Sequence, residues 1–199
     1  MSIVAAESVS GFFHEVVEDA LRARRVEATE GAAHYLVSLL TDYAKPDIRA
    51  GATLERPLAF LLDEAMHTLD LGERFEKLRT VGDGVLYGVG FFGDHFEARG
   101  VDHGYLVGIG VTAYRNAGSL FVPTDKEAKL DVFGELAEKF AEFVKVLAEV
   151  ADSTVAMGVA SSQSVMKLYE RWLKTRSDRL ADALASHGFV APRGKGILQ

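Results

Sequence analysis

Two Asp-His pairs, Asp94-His95 and Asp102-His103, flank a short turn in the stretch "DHFEARGVDH". Two imidazoles and a carboxylate within reach of one another can ligate a transition metal or pass protons near neutral pH. On helical wheels His95 projects with Gly84, Gly88 and Phe91, and His103 with Gly110, Tyr114 and Phe121, so both histidines are expected to lean towards the core. Gly84, Gly88, Phe91, His95, His103 and Tyr114 form the candidate ligand site, with His95 and His103 as its metal ligands. The spacing supplies no third ligand, and histidines satisfied by their neighbours give the same pattern. Glu64-x-x-His67 has the spacing of half a carboxylate-bridged di-iron site. The sequence holds no second copy, and both residues fall on the polar side of their helix. With no cysteine there is no thiolate ligand, disulfide or cysteine nucleophile. No serine stands in a Gly-x-Ser-x-Gly elbow. No catalytic residue is assigned.

The stretch "GVLYGVGFFGDHFEARG", residues 84 to 100, contains Gly88-x-Gly90-x-x-Gly93, the spacing of a dinucleotide-binding turn. That turn needs a strand before it and a parallel sheet around it, and no segment of this chain alternates like a strand. Val81, Val85, Val89, Phe92 and Phe96 instead form one helical stripe, with Asp83, Asp94 and Glu97 on the opposite side. A glycine inside a helix costs about 1 kcal/mol against alanine. Close approach of another backbone or of a flat ligand would offset that cost. The following helix carries Gly104, Gly108, Gly110, Ala113, Ala117 and Gly118, which predicts a glycine-faced helical hairpin at the centre of the fold.

Apolar residues at helical spacing set the other elements. A first helix ends near Arg25, and a second runs from about Thr29 to the Lys45-Pro46 break. Pro57 opens a third, and a fourth starts near Leu71. The fifth spans Asp102 to Phe121, with Asp102 as its cap. Thr124 and Glu127 read as a capping box for a sixth helix carrying Leu136, Phe140, Phe143 and Leu147. A small-residue linker covers 152 to 164, and a seventh helix, 162 to 187, stops at Gly188. The expected fold is all-α: a single bundle-like domain of six to seven helices over residues 1–188, with a loose tail at 189–199.

The net charge of −7 argues against a general nucleic-acid binder. Residues 161 to 199 hold seven basic and three acidic side chains, a local +4 that leaves −11 elsewhere. That polarity suits an acidic protein partner, including a second copy of this chain. The start carries no basic leader before an apolar run, and the apolar runs are too short to span a bilayer. The expectation is a cytoplasmic protein without membrane contact. Phe140, Phe143 and Leu147 on the sixth helix, with Tyr169, Trp172 and Arg176 on the seventh, are the expected interface of a homodimer. Arg176 follows Trp172 by one turn and is expected to stack on its indole.

Two resemblances add to this. "EATEGAAH", Glu27 to His34, resembles the opening of haem oxygenases, in which an Ala-Thr precedes the iron-ligating histidine and a glycine-kinked helix covers the haem. The gap from Ala28-Thr29 to His34 is one residue longer here. The helical order, with "LYERWLKTRSDRLADALA" near its end, resembles proteobacterial hypothetical proteins of similar length, which implies an all-helical fold and a bacterial origin. The expected function is that of a non-enzymatic regulatory or scaffolding protein acting through helical surfaces, without a cofactor. The alternative is a binder of a small apolar ligand, haem or a transition metal, with or without enzymatic activity.

Overall fold

The structure is a computed structural model that describes residues 2–45, 56–120, 131–157 and 162–186. Among these residues every regular element is helical: α1 (Ser2–Arg24), α2 (Glu30–Tyr43), α3 (Leu58–His67), α4 (Leu71–Ala98), α5 (His103–Ser119), α6 (Val132–Glu138), α7 (Phe140–Met157), α8 (Ser162–Thr175) and α9 (Asp178–Ser186). The Thr124–Glu127 capping box, Phe121, the Gly188 stop and the 189–199 tail lie outside the described residues.

Local chemistry sets the helix starts. Short polar side chains accept the first free amides: Thr29 from Ala32 N at 3.2 Å, Asp70 from Glu73 N at 2.8 Å, Asp102 from Tyr105 N at 2.6 Å and Asp131 from Gly134 N at 2.8 Å. The glycine-rich stretch is helix, as its stripe predicts. It breaks once, at Phe92, whose φ of −128° and ψ of 23° leave the helical region. Gly90 and Gly93 flank that residue, so the kink falls where backbone restraint is weakest.

Three expectations need correction. The sixth helix is two, α6 and α7, broken at Lys139 (φ −99°, ψ 20°). The linker expected over 152–164 is helical at both ends, because 152–157 complete α7 and 162–164 open α8, and its middle, 158–161, lies outside the described residues. The seventh helix is also two, since Arg176 adopts a left-handed φ of 52° between α8 and α9. Neither break has a proline or glycine at it to announce it.

The chain forms two compact units, residues 1–148 and 149–199, with the boundary inside α7. In the first, α4 packs against α5 and α3, α5 against α6, and α1 against α2. Its core includes Leu36, Leu40, Leu78, Leu86, Tyr114, Leu136, Phe140, Phe143 and Leu147, all fully buried. In the second, Leu168, Trp172, Leu180, Ala181 and Leu184 make a core of their own.

Glycines do admit close packing, at Gly110 as expected and at Gly82 and Gly90, which the expected face did not include. A Cβ on Gly82 would stand 2.5 Å from the Tyr114 ring, one on Gly90 2.5 Å from Leu147 Cβ, and one on Gly110 would collide with the Phe140 ring. Gly84 and Gly88 are buried within α4. Gly104 and Gly108 are exposed, and a Cβ at Gly108 would meet nothing within 4 Å. The close faces are therefore Gly82 and Gly110 between α4, α5 and α7, not the Gly104–Gly108 side.

Candidate functional site

The most unusual chemistry in the first unit is a carboxylate shared by two tyrosines. Asp83 on α4 accepts the Tyr35 hydroxyl from α2 at 2.6 Å and the Tyr114 hydroxyl from α5 at 2.7 Å, both on Oδ1. The sequence around it explains how this is possible. Gly82, the preceding residue, has no side chain, so the Tyr114 ring lies against the α4 backbone. Gly110 does the same for Phe140, whose ring centroid is 5.8 Å from that of Tyr114. Phe133 of α6 closes the other side, 5.4 Å from Tyr35 and 5.8 Å from Tyr114. The result is an ionisable group held by two tyrosines whose rings are fixed by aromatic packing.

Electrostatics follow from that setting. Burial pushes the Asp83 carboxyl up to about 6, although both tyrosine hydroxyls and the Arg79 guanidinium pull the other way. Burial also raises the Tyr35 and Tyr114 hydroxyls, and the nearby Asp83 charge adds to it, so both tyrosines stay protonated donors. Arg79, one turn before Asp83, gives its Nη2 to Glu76 at 2.8 Å, while its Nε is buried without a hydrogen-bond partner. The cluster can hold or release one proton.

Clefts open among the described residues of the first unit, and two of them are lined by none of these three residues. One, of about 430 Å³, lies between α3 and α4 with Leu61 and Val81 in its floor and Glu64, Glu73, Glu76 and Lys77 along its rim. Lys77 ties that rim together, 3.2 Å from Glu64 and 3.0 Å from Glu73, and Arg56 reaches Glu64 at 3.3 Å. The other, of about 640 Å³, is an open hollow bordered by Glu18, Arg22, Arg25 and Glu27 where α1 turns into α2.

The second unit has a polar core of a different kind. Asp152 and Glu149 of α7 are buried, and two arginines meet them: Arg171 Nε lies 2.6 Å from Asp152 and Arg179 Nε 3.0 Å from Glu149. Arg179 also donates to Ser153 at 2.9 Å. Arg176 lies 4.7 Å over the Trp172 ring, the expected stack.

The residues singled out in the sequence fare unevenly. His95 and His103 are both exposed and do not lean into the core. Asp102 caps α5, which leaves His103 at the helix's first position. Among the described residues no three His, Cys, Asp or Glu side chains gather as metal ligands. Gly84 and Gly88 are buried, while Phe91 stacks on Tyr87 at 4.6 Å, which stacks on Tyr43 at 4.3 Å. Of the candidate ligand set, Tyr114 alone belongs to the Asp83 cluster. Glu64 and His67 do not converge: Glu64 joins the Lys77 network, and His67 lies 3.3 Å from Asp63. His34 is exposed, and Thr29 serves as a helix cap that also donates its amide to Glu135 at 3.1 Å. Phe140, Phe143, Leu147 and Trp172 are buried within the chain itself, so these side chains are not on display to a partner; Tyr169 is partly buried and Arg176 exposed.

Sequence reasoning missed Asp83, which the α4 wheel alone places on the polar side. The available signal was its setting between Gly82 and Gly84, since an acid on a solvated helix face has no use for glycine on both sides. No protein-family model, curated protein or solved structure matches the chain.

Proposed function

We propose that the protein is a non-enzymatic interaction module that takes an apolar-faced helical segment of a partner into the cleft between α3 and α4. The observation that supports this is the make-up of the cleft: a floor of Leu61 and Val81 inside a rim of paired carboxylates and cations. The same short region carries Phe60 at 69%, Leu69 at 96% and Leu71 at 63% exposure, large apolar side chains that gain by being covered. A helix laid in such a groove buries its apolar stripe on the floor and matches charges at the rim. Among the described residues no helix is long and apolar enough to cross a membrane, and we place the protein's work in the cytoplasm.

A homodimer belongs to this proposal with a changed interface. Phe140, Phe143 and Leu147 are spent in the core, so self-association would use the exposed Phe60, Leu69 and Leu71 region. Light scattering on the purified chain, whose protomer mass is 21.6 kDa, reads that state directly. The test of the main reading is a titration with fluorescent amphipathic helical peptides whose polar faces are basic, acidic or neutral. Binding that disappears in Leu61→Asp and persists in His95→Gln is the expected result. Peptide binding that ignores Leu61→Asp would overturn the assignment of the cleft.

A further inference from the structure

We propose that Asp83 is a proton-binding site that ties α2, α4 and α5 together, so that the first unit takes up a proton there on mild acidification and folds more tightly as a result. The geometry carries the proposal. One carboxylate oxygen receives a hydroxyl from each of two other helices, at 2.6 and 2.7 Å, and the two donor rings are themselves packed against Phe133 and Phe140. Proton uptake at such a site is felt by all three helices at once.

The groups facing Asp83 favour this outcome. From α2 come the neutral Tyr35 and the like charge of Asp42; from α5 comes the neutral Tyr114, with Tyr43 of α2 nearby. On α4 the cation that acts on Asp83 is Arg79, whose Nη2 is already engaged by Glu76. A buried anion held by two neutral donors and a shared cation keeps much of its desolvation cost. Adding the proton removes the charge and leaves a carbonyl oxygen that still accepts a tyrosine hydroxyl.

The direction of the effect follows from linkage. The carboxyl binds a proton more tightly when folded, about 6 against 3.8 for the free group, so the folded state holds more protons across that interval. Stability from this group therefore rises as pH falls through 6, is complete below about 4, and is lost again as pH climbs. The interval corresponds to a factor on the order of a hundred in the folding constant. Glu64 and Glu135 are held below the ordinary carboxylate value and act in the opposite sense, so the effect must be read as a difference between proteins.

The experiment is urea denaturation of the wild type, Asp83→Asn and Tyr35→Phe from pH 8 to 4.5, with carbon NMR of the aspartate carboxyls in the wild type. The expected result is a wild-type advantage over Asp83→Asn that grows as pH falls, together with one aspartate carboxyl titrating well above its peers. Tyr35→Phe, which removes a donor to the anion, should move that titration higher still. A difference independent of pH, or aspartates that all titrate near the ordinary value, would overturn the proposal. The NMR titration needs no variant, so it decides the matter even if Asp83→Asn fails to fold.

Discussion

Arg171 Nε stands 2.6 Å from Asp152 Oδ1, and the carboxylate side chain is only 3% exposed. The carboxylate is buried while the Arg171 side chain is 26% exposed, so the pair is a poor source of net stability, yet removing the arginine leaves the buried carboxylate uncompensated. Arg171→Ala should therefore destabilise the second unit by about 3–5 kcal/mol. Fluorescence of Trp172, the chain's one tryptophan, reports that unit during denaturation. A midpoint unchanged by the substitution would show that the pair is not holding α8 to α7.

The glycines make a paired prediction. At Gly82 a methyl group would meet a Tyr114 ring that its hydroxyl bond to Asp83 holds in place. Gly82→Ala should cost about 1–3 kcal/mol. Gly108→Ala, in open space on the same hairpin, should instead stabilise by up to about 1 kcal/mol, because alanine is the better helix former. Thermal melts of the two variants with opposite signs are the expected result. Equal signs would count against the assignment of which glycine face is packed.

Exposed histidines should be nearly silent. His95→Gln and His103→Gln are each expected to change stability by less than about 0.5 kcal/mol. Metal analysis and an absorbance spectrum of the purified protein should show no stoichiometric metal or haem. One equivalent of either, lost on either substitution, would restore the ligand-binding alternative.

Thr29 and Glu135 lie far apart in sequence, yet they fasten the start of α2 to α6. Both the amide and the hydroxyl of Thr29 donate to the Glu135 carboxylate, and Thr29 also caps Ala32. Those bonds, with Lys139 beside them, hold the Glu135 carboxyl below its usual value against the opposing effect of burial. Its contribution is present above the ordinary carboxylate range and is lost as pH falls through the folded value. Thr29→Ala should cost about 1 kcal/mol at pH 7 and less at pH 4, as read by urea denaturation at both values.

What the sequence makes legible here is local. The period of Val81, Val85 and Val89 fixes α4 as a helix and removes the dinucleotide turn, and Thr29 and Asp102 mark two helix starts. The wheel of a single helix cannot say which of its sides meets another. Asp83 reads as solvated on α4 alone, and its partners are 48 and 31 residues away in the chain. Gly104 and Gly108 fail for the same reason: their helix is right and their face is wrong. The breaks at Lys139 and Arg176 escape notice because ordinary residues carry them, and only the packing on either side compels the turn.

Glu76 belongs to two places at once. It stands on the rim of the α3–α4 cleft, and it engages Arg79, which faces Asp83. A cationic group seated on that rim competes with Arg79 for the same carboxylate. The guanidinium it displaces is one helical turn from Asp83 and favours the anion there. Were the cleft occupied in this way, binding there and the proton on Asp83 would oppose each other, with equal factors in both directions. A partner that arrives with a basic residue at Glu76 would drive a proton off the molecule, and acid would loosen that partner's hold.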